Sequence, residues 1–447
     1  MLGADQMMSL AHRALSRLNG EENEVTISAV SSALTRYANS EIHQNLAQHD
    51  CVVSMRTTVD GSSGWAQCNL TDDDSLDDGA SYAERMARGG REGAARPLAG
   101  CHSYPDIRTF HCSTDRFDAL ARASAVKTMT EIADRRGFSL AGALQVRTAE
   151  TAMVNDHGLR AYEVSTDADV LCVVSSADGS GYAARTARDV STIDFAQVAE
   201  EAVHKCAINR GATPLPPGRY TVLLDEYAVG DMIMTLASMG FGADGVQSGA
   251  SFLSGRFDEQ VTDPRISIWD DALSPLGMPT RFDAEGVPKG RVPIITDGVA
   301  VGAVHDLTTA GRQGVVSTGH AGPGGPGSPA AANLFVQVGD QNKEEMIRSI
   351  DRGVYVTRLH YIARVNPSQT RWSGMTRDGT FLIEGGNIVR PVLNVRFDDR
   401  ILDMLANVRS LSSEGIITRG YGSYATVPAM VIDGFNIVGS TQGDLDT

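Results

Sequence analysis

The chain has 447 residues, too many for one ordinary core, so two domains are the default. A formal charge of −16, from 39 basic and 55 acidic side chains, argues against nucleic-acid binding, which needs a basic stripe to displace counterions. No apolar run approaches the roughly 18 residues of a membrane span, and residues 1–6 carry neither the basic nor the apolar part of a signal peptide, so a cytoplasmic protein that engages no membrane is expected.

Along the chain, the first half reads as two similar units, about 20–100 and 138–210, within an N-terminal domain of residues 1–210. Cys51-Val52-Val53-Ser54 returns as Cys172-Val173-Val174-Ser175, and Asp60-Gly61 returns as Asp178-Gly179. Each pair suggests strand, Asp-Gly turn, strand. Upstream of each lies another strand pair around a polar turn, at Asn39-Ser40 and at Asn155-Asp156-His157-Gly158. Helical segments are predicted at 81–88, 116–136 (N-capped by Ser113 or Asp115) and 195–209. Repeated hairpins backed by helices predict a two-layer α/β domain with an internal duplication. Residues 211–218, Gly-Ala-Thr-Pro-Leu-Pro-Pro-Gly, form the expected linker. From 219 to 447 short β runs alternate with turns, among them 219–224, 266–269, 292–296, 334–338, 354–363, 380–384, 387–395 and 427–435, which suggests a β-rich sandwich or barrel-like C-terminal domain. The fold class is therefore α+β.

The six cysteines are scattered without a Cys-x-x-Cys pair and read as reduced thiols; none follows Cys206. Where the strand at 220–224 runs into Asp225-Glu226-Tyr227-Ala228-Val229-Gly230-Asp231-Met232, an amphipathic helix begins. In a purely structural reading Asp225 caps it, Glu226 complements its positive end, and Val229, Met232, Ile233, Leu236 and Met239 form the buried stripe. Glu226 and Asp231 lie about 140° apart around a regular helix and would not converge on a cation. His305, His320 and His360 share no ligand motif. His320 opens a Gly- and Pro-rich segment that could lie over a cleft, against the blander reading of a surface loop. Arg377, beside Met375 and Thr376, could clamp a carboxylate or serve as a structural ion-pair partner. Asp72-Asp73-Asp74 and Asp270-Asp271 lack calcium-loop spacing and read as solvated loops. Neither a phosphate loop nor a nucleophile elbow is present in the sequence.

Between Pro216 and Gly439 the order of several stretches resembles the TldD/TldE (PmbA) metallopeptidase family. They include Leu215-Pro216-Pro217-Gly218-Arg219-Tyr220, Ser251-Phe252-Leu253-Ser254-Gly255-Arg256, Phe282-Asp283-Ala284-Glu285-Gly286, Ser317-Thr318-Gly319-His320-Ala321, Ala332-Asn333-Leu334, Gly374-Met375-Thr376-Arg377-Asp378-Gly379 and Ile383-Glu384-Gly385-Gly386. Laid over the family's His-Glu-x-x-x-His zinc motif, the histidine positions become Glu226 and Asp231, and the general-base position becomes Tyr227. A zinc site needs imidazole or thiolate donors and a carboxylate for its water. The Gly-rich segment at 419–424, where active members carry a cysteine ligand, also has none.

The resemblance implies a TldE-like subunit with no catalytic residue and no cofactor of its own. Its partner would be a TldD-like subunit that holds the zinc and cleaves amide bonds of small or unfolded peptides, with this chain shaping the chamber. His320, Asn333, Met375 and Arg377 are the candidate cleft residues. Two further readings share the fold. One is a subunit of an amidase or N-deacetylase that takes an acylated metabolite in natural-product biosynthesis, such as that of a lincosamide antibiotic. The other is a homodimeric binding protein without chemistry. An independent enzyme built on Glu226, Asp231 and His320 is the remaining possibility.

Overall fold

The computed structural model describes residues 1–90, 96–322 and 327–440. In the N-terminal domain the elements are α1 (Ala4–Leu15), β1 (Glu22–Ala38), β2 (Glu41–Val59), β3 (Ser62–Cys68), α2 (Asp73–Arg88), α3 (Cys112–Asp115), α4 (Ala119–Asp134), β4 (Ser139–Asn155), β5 (Arg160–Ser175), β6 (Ser180–Ala187) and α5 (Phe195–Ile208). The six strands make one antiparallel sheet in the order β3-β2-β1-β4-β5-β6. Helix, three strands, helix thus occurs twice, and the two units meet along the β1–β4 pairing.

The duplication holds at the level of topology, but the tetrapeptide that suggested it is out of register. Glu22 pairs with Thr58 and Ser139 with Ser175 at the starts of the equivalent hairpins. Counting from those pairs, Cys51 lies seven residues along its strand and Cys172 only three. The shared Cys-Val-Val-Ser reflects a common strand composition, with β-branched residues packing on a pleated surface.

Helix boundaries also differ from expectation. Asp72 caps α2, its carboxylate accepting from the Ser75 N–H, so that helix starts at Asp73 and the acidic triplet is its entry, where negative charge complements the helix dipole. The cap of α4 is Asp118, accepting from the Ala121 N–H, not Ser113 or Asp115; Asp115 closes the one-turn helix α3. Helix α1 has no counterpart in the elements read from sequence.

The C-terminal domain contains β7 (Gly218–Leu224), α6 (Glu226–Gly240), α7 (Ala243–Ser248), β8 (Ile268–Asp271), β9 (Arg291–Thr296), β10 (Val299–Ala300), α8 (Leu307–Gln313), β11 (Asn333–Val336), α9 (Lys343–Arg348), β12 (Arg352–Asn366), β13 (Arg371–Glu384), β14 (Asn387–Pro391), β15 (Val395–Arg400), α10 (Ile401–Leu405), β16 (Val408–Arg419) and β17 (Tyr424–Ser440). Strands β17-β15-β13-β12-β7 follow one another, and β17 pairs back onto β7. That second pairing closes a five-stranded barrel-like ring, leaving β10, β14 and β16 each paired to a single strand among the described residues. The linker is docked on this domain: Leu215 is buried in its core, and the Leu393 N–H donates to the Thr213 carbonyl at 3.0 Å.

Helix α6 packs against the ring. Val229, Met232, Ile233, Leu236 and Met239 share one core with Val222, Val354, Trp372 and Phe435. Gly230 allows the close approach: a Cβ there would stand 2.7 Å from Thr418 Cβ on β16. Among the described residues, no helix is long and apolar enough to cross a membrane.

Candidate functional site

Helix α6 begins at the end of β7, where the barrel meets the N-terminal domain. Asp225 stands at its N-cap position, yet its carboxylate makes no capping bond. It is fully buried instead, accepting from Lys205 Nζ at 2.8 Å and the Tyr355 hydroxyl at 2.8 Å through one oxygen, and from Lys343 Nζ at 2.6 Å through the other. Burial alone would raise the Asp225 carboxyl; the ammonium groups of Lys205 and Lys343 outweigh it and hold the group well below 3.8.

The three positions of the motif helix are engaged differently. Glu226 faces Lys343, 2.5 Å from its Nζ, and its carboxyl is raised, first by burial and then by the charge of Asp225. The Tyr227 hydroxyl accepts from Arg185 Nη1 at 2.7 Å and from the Ala184 N–H at 3.1 Å, and donates to Glu201 at 3.1 Å. Arg185 and Lys205 both pair with Glu201, at 2.8 and 2.7 Å. A continuous polar web therefore runs from Lys343 through Asp225, Lys205 and Glu201 to Arg185 and Tyr227, tying α5 and β6 to α6 and α9. Asp231 points elsewhere, as the helical spacing requires.

Asp231 and Tyr227 line a cavity of about 410 Å³ between the two domains. Its N-terminal wall comes from β4, β5 and β6, with Gln145, Asp169 and Tyr182; its C-terminal wall adds Arg358 and Arg419. Arg358 lies 4.2 Å over the Tyr182 ring and donates to Asp378 at 2.6 Å. Arg419 and Asp169 form an ion pair across the domains. Burial raises the Asp231 carboxyl to about 7, against the opposing pull of Arg358 and the Leu359 N–H. Such a pocket can hold a small polar group and exchange a proton with it near neutrality.

These side chains do not fit a zinc ion. Glu226 and Tyr227 are committed to Lys343, Arg185 and Glu201, and Asp231 opens on a different side. Among the described residues no three His, Cys, Asp or Glu side chains converge as a ligand set.

None of the four candidate cleft residues lines this cavity. His320 is fully buried, its Nε2 3.0 Å from Asp270 and its Nδ1 2.8 Å from the Thr318 carbonyl, so its side chain fastens its own segment. The rest of that loop falls partly on residues 323–326, outside the described residues. Asn333 belongs to the same cluster, its N–H donating to Asp270 at 2.8 Å. Asp270 is thus a buried structural anion, not a solvated loop residue; burial would raise its carboxyl, but His320 holds it low. Met375 and Arg377 lie on β13, where the exposed Arg377 guanidinium is 2.8 Å from His360 Nε2. Gln145, Asp169, Tyr182, Arg358 and Arg419, which do shape the cavity, come from five separate strands and share no sequence motif.

The family model described as the PmbA/TldA metallopeptidase C-terminal domain matches residues 217–439. A protein named metalloprotease from Methanothermobacter thermautotrophicus is 26% identical over 205 residues, 45% of each chain. A metalloprotease TldD homolog from Haemophilus influenzae is 25% identical over 52% of this chain and 48% of its own length. The chain thus spans about half the length of the curated relatives it matches. The crystal structure of TldE from Thermococcus kodakarensis superposes with a TM-score of 0.87 at 19% identity, covering 97% of this chain and 100% of that one, so the whole two-domain fold is shared. With the motif helix in the matched region and the same architecture around it, this chain belongs to the PmbA/TldD metallopeptidase family.

Proposed function

We propose that the chain is a TldE-like subunit of a two-chain, cytoplasmic metallohydrolase, in which a TldD-like partner carries zinc and the general base. This chain supplies a wall of the chamber and is needed for activity without owning the catalytic groups. One observation carries the reading: the helix positions that would hold metal and base are occupied by Glu226 and Tyr227, which serve an interdomain ion-pair web, and by Asp231, which faces a cavity. Family membership and the fold shared with TldE agree with it. The bond cleaved is an amide, in small or unfolded peptides; whether the acyl group belongs to a peptide or to a natural-product intermediate is a question of substrate, with the same division of labour.

The test is co-purification with a TldD-like chain from the same genome, followed by zinc per complex and amide hydrolysis for each chain alone and together. Unfolded peptides and N-acylated metabolites serve as substrates. Zinc near one per pair, with hydrolysis only in the mixture, is expected. Stoichiometric zinc and turnover by this chain alone would overturn the reading.

A further inference from the structure

The cavity between the domains carries polar groups that the fold does not use. Among the described residues, the Gln145 side chain and the Tyr182 hydroxyl have no hydrogen-bond partner, and the Asp231 carboxyl enters no ion pair. Polar side chains taken out of bulk water are ordinarily paired. Three spare ones around a single, partly enclosed space of about 410 Å³ mark it as built for an occupant.

The other charges of the lining are closed off in pairs. Asp169 on β5 accepts from the Thr186 hydroxyl at 2.5 Å and pairs with Arg419 on β16. Arg358 on β12 is turned to Asp378, which also accepts from the Ser180 hydroxyl at 2.7 Å. Asp231 on α6 is left over. The groups that face it are Arg358, already bound to Asp378, and Tyr182 on β6, whose hydroxyl is raised to about 12 by burial, with the charge of Asp231 adding to the rise. An anion entering here would meet three carboxylates and would have to draw an arginine away from one of them, leaving that carboxylate unpaired. A neutral guest would leave Asp231 without a counter-charge. An ammonium carries three donors and no acceptor, and the spare acceptors are the Asp231 carboxylate, the Tyr182 hydroxyl oxygen and the Gln145 amide oxygen. The remaining wall is apolar, with Val170, Leu171, Leu359 and Ile417.

We infer that this cavity is a binding site for a small primary amine with an apolar body, its ammonium paired with Asp231 and its body against Leu359 and Ile417. Every lining residue belongs to this chain, so the site needs no partner subunit. Hydrolysis of an amide releases an amine of this class; that identity of the natural occupant rests on the proposed hydrolase role, whereas the affinity for amines does not. Binding is linked to pH. Burial raises the Asp231 carboxyl to about 7, so below that value an arriving ammonium sends its proton to solvent, and affinity falls as pH falls. An alkylamine, with a pKa of roughly 10, stays charged throughout, so between pH 6 and pH 8 the affinity should rise about ten-fold.

The test is isothermal titration calorimetry of the full chain alone with 3-methylbutylamine, 4-methylpentanoate and 3-methylbutanol, which present one apolar body with three head groups. At pH 8 the amine is expected to bind with a Kd of about 1 mM or below, at least about ten-fold more tightly than the acid or the alcohol. Asp231→Asn, checked for an unchanged circular dichroism spectrum, is expected to abolish that preference. Should the variant not fold, the rise in amine affinity between pH 6 and pH 8 in the parent reads the same group. Equal or tighter binding of 4-methylpentanoate overturns the inference. So does an amine affinity that neither pH nor Asp231→Asn changes, or the absence of amine binding at about 10 mM. Hydrolysis by a reconstituted pair decides the subunit role separately, because this titration contains neither a partner chain nor an amide.

Discussion

Asp225→Asn is the most direct perturbation of the interdomain web. Asp225 is fully buried and receives three donors, two of them ammonium groups at 2.6 and 2.8 Å. Lys205, itself 5% exposed, would keep only Glu201 at 2.7 Å and would face an uncharged amide. Removing one member of a buried pair costs about 3–5 kcal/mol, because the remaining charge is stranded away from water. Lys343 is 40% exposed, so its share is screened and adds little. For a domain of this size a loss of 3–5 kcal/mol lowers the melting temperature by roughly 6–20 °C. The double variant Asp225→Asn/Lys205→Met removes both charges and should be less destabilised than Asp225→Asn alone. Thermal and urea melts followed by tryptophan fluorescence and circular dichroism read both. The sign with pH is fixed by the lowered carboxyl: its contribution is complete above 3.8 and is lost as pH falls through the lower folded value, so the gap between variant and parent narrows in acid. An Asp225→Asn protein within about 1 kcal/mol of the parent at pH 7, or strictly additive effects in the double variant, would refute the reasoning.

Asp231 gives the opposite pH sign. Raised to about 7, it holds a proton in the folded state that the unfolded chain has lost, so its contribution falls as pH rises from about 4 to 7. Asp231→Asn should gain on the parent in melting temperature between pH 5 and pH 8, and a constant difference across that range would contradict it. Tyr227→Phe removes a hydroxyl held by Arg185 and Glu201 and should destabilise by about 1.5–3 kcal/mol, while leaving hydrolysis by a reconstituted pair unchanged. A drop in turnover with normal pairing would mean that Tyr227 takes part in the chemistry. Gly230→Ala drives a methyl group against Thr418 and should cost about 1–3 kcal/mol, read as a lower urea midpoint.

Local chemistry was the legible part of this sequence. The turns at Asn39-Ser40 and Asp60-Gly61 all adopt positive φ, as short polar residues and glycine allow, and the hairpins follow from them. All five expected stripe residues of α6 are buried, but so are Glu226, Tyr227, Ala228, Gly230 and Gly240, because the helix lies between the barrel and the N-terminal domain. Long-range partners were not legible. Ring closure joins residues 218–224 to residues 430–437, and no local pattern carries that pairing. The Asp72 cap was hidden because an acidic triplet looks the same in a loop and at a helix entry until the Ser75 N–H is placed. For the ion-pair web a signal did exist: the chain has only four lysines, at 127, 205, 289 and 343, and two of them converge on Asp225. Lys205, 5% exposed, places one compact ammonium between the carboxylates of Glu201 and Asp225.

That convergence also bears on the metal. Two adjacent acids at a buried helix start need nearby positive charge, and the helix dipole supplies only a fraction of one unit. A divalent ion is one source; Lys205 and Lys343 are another, and both ammonium groups stand within 2.8 Å of a carboxylate oxygen. Lys205, Lys343 and Arg185 already serve Glu201, Asp225 and the raised carboxyl of Glu226, so a cation entering here would have to displace a lysine. Zinc should therefore leave the melting temperature of the isolated chain unchanged, and EDTA should not lower it. A ligand of the folded state at one hundred times its Kd would add about 2.7 kcal/mol, a shift of several degrees that a melt resolves easily. A zinc-dependent rise that Asp231→Asn or Glu226→Gln abolishes would mean that these residues do form a metal site, and that the lysines yield to it.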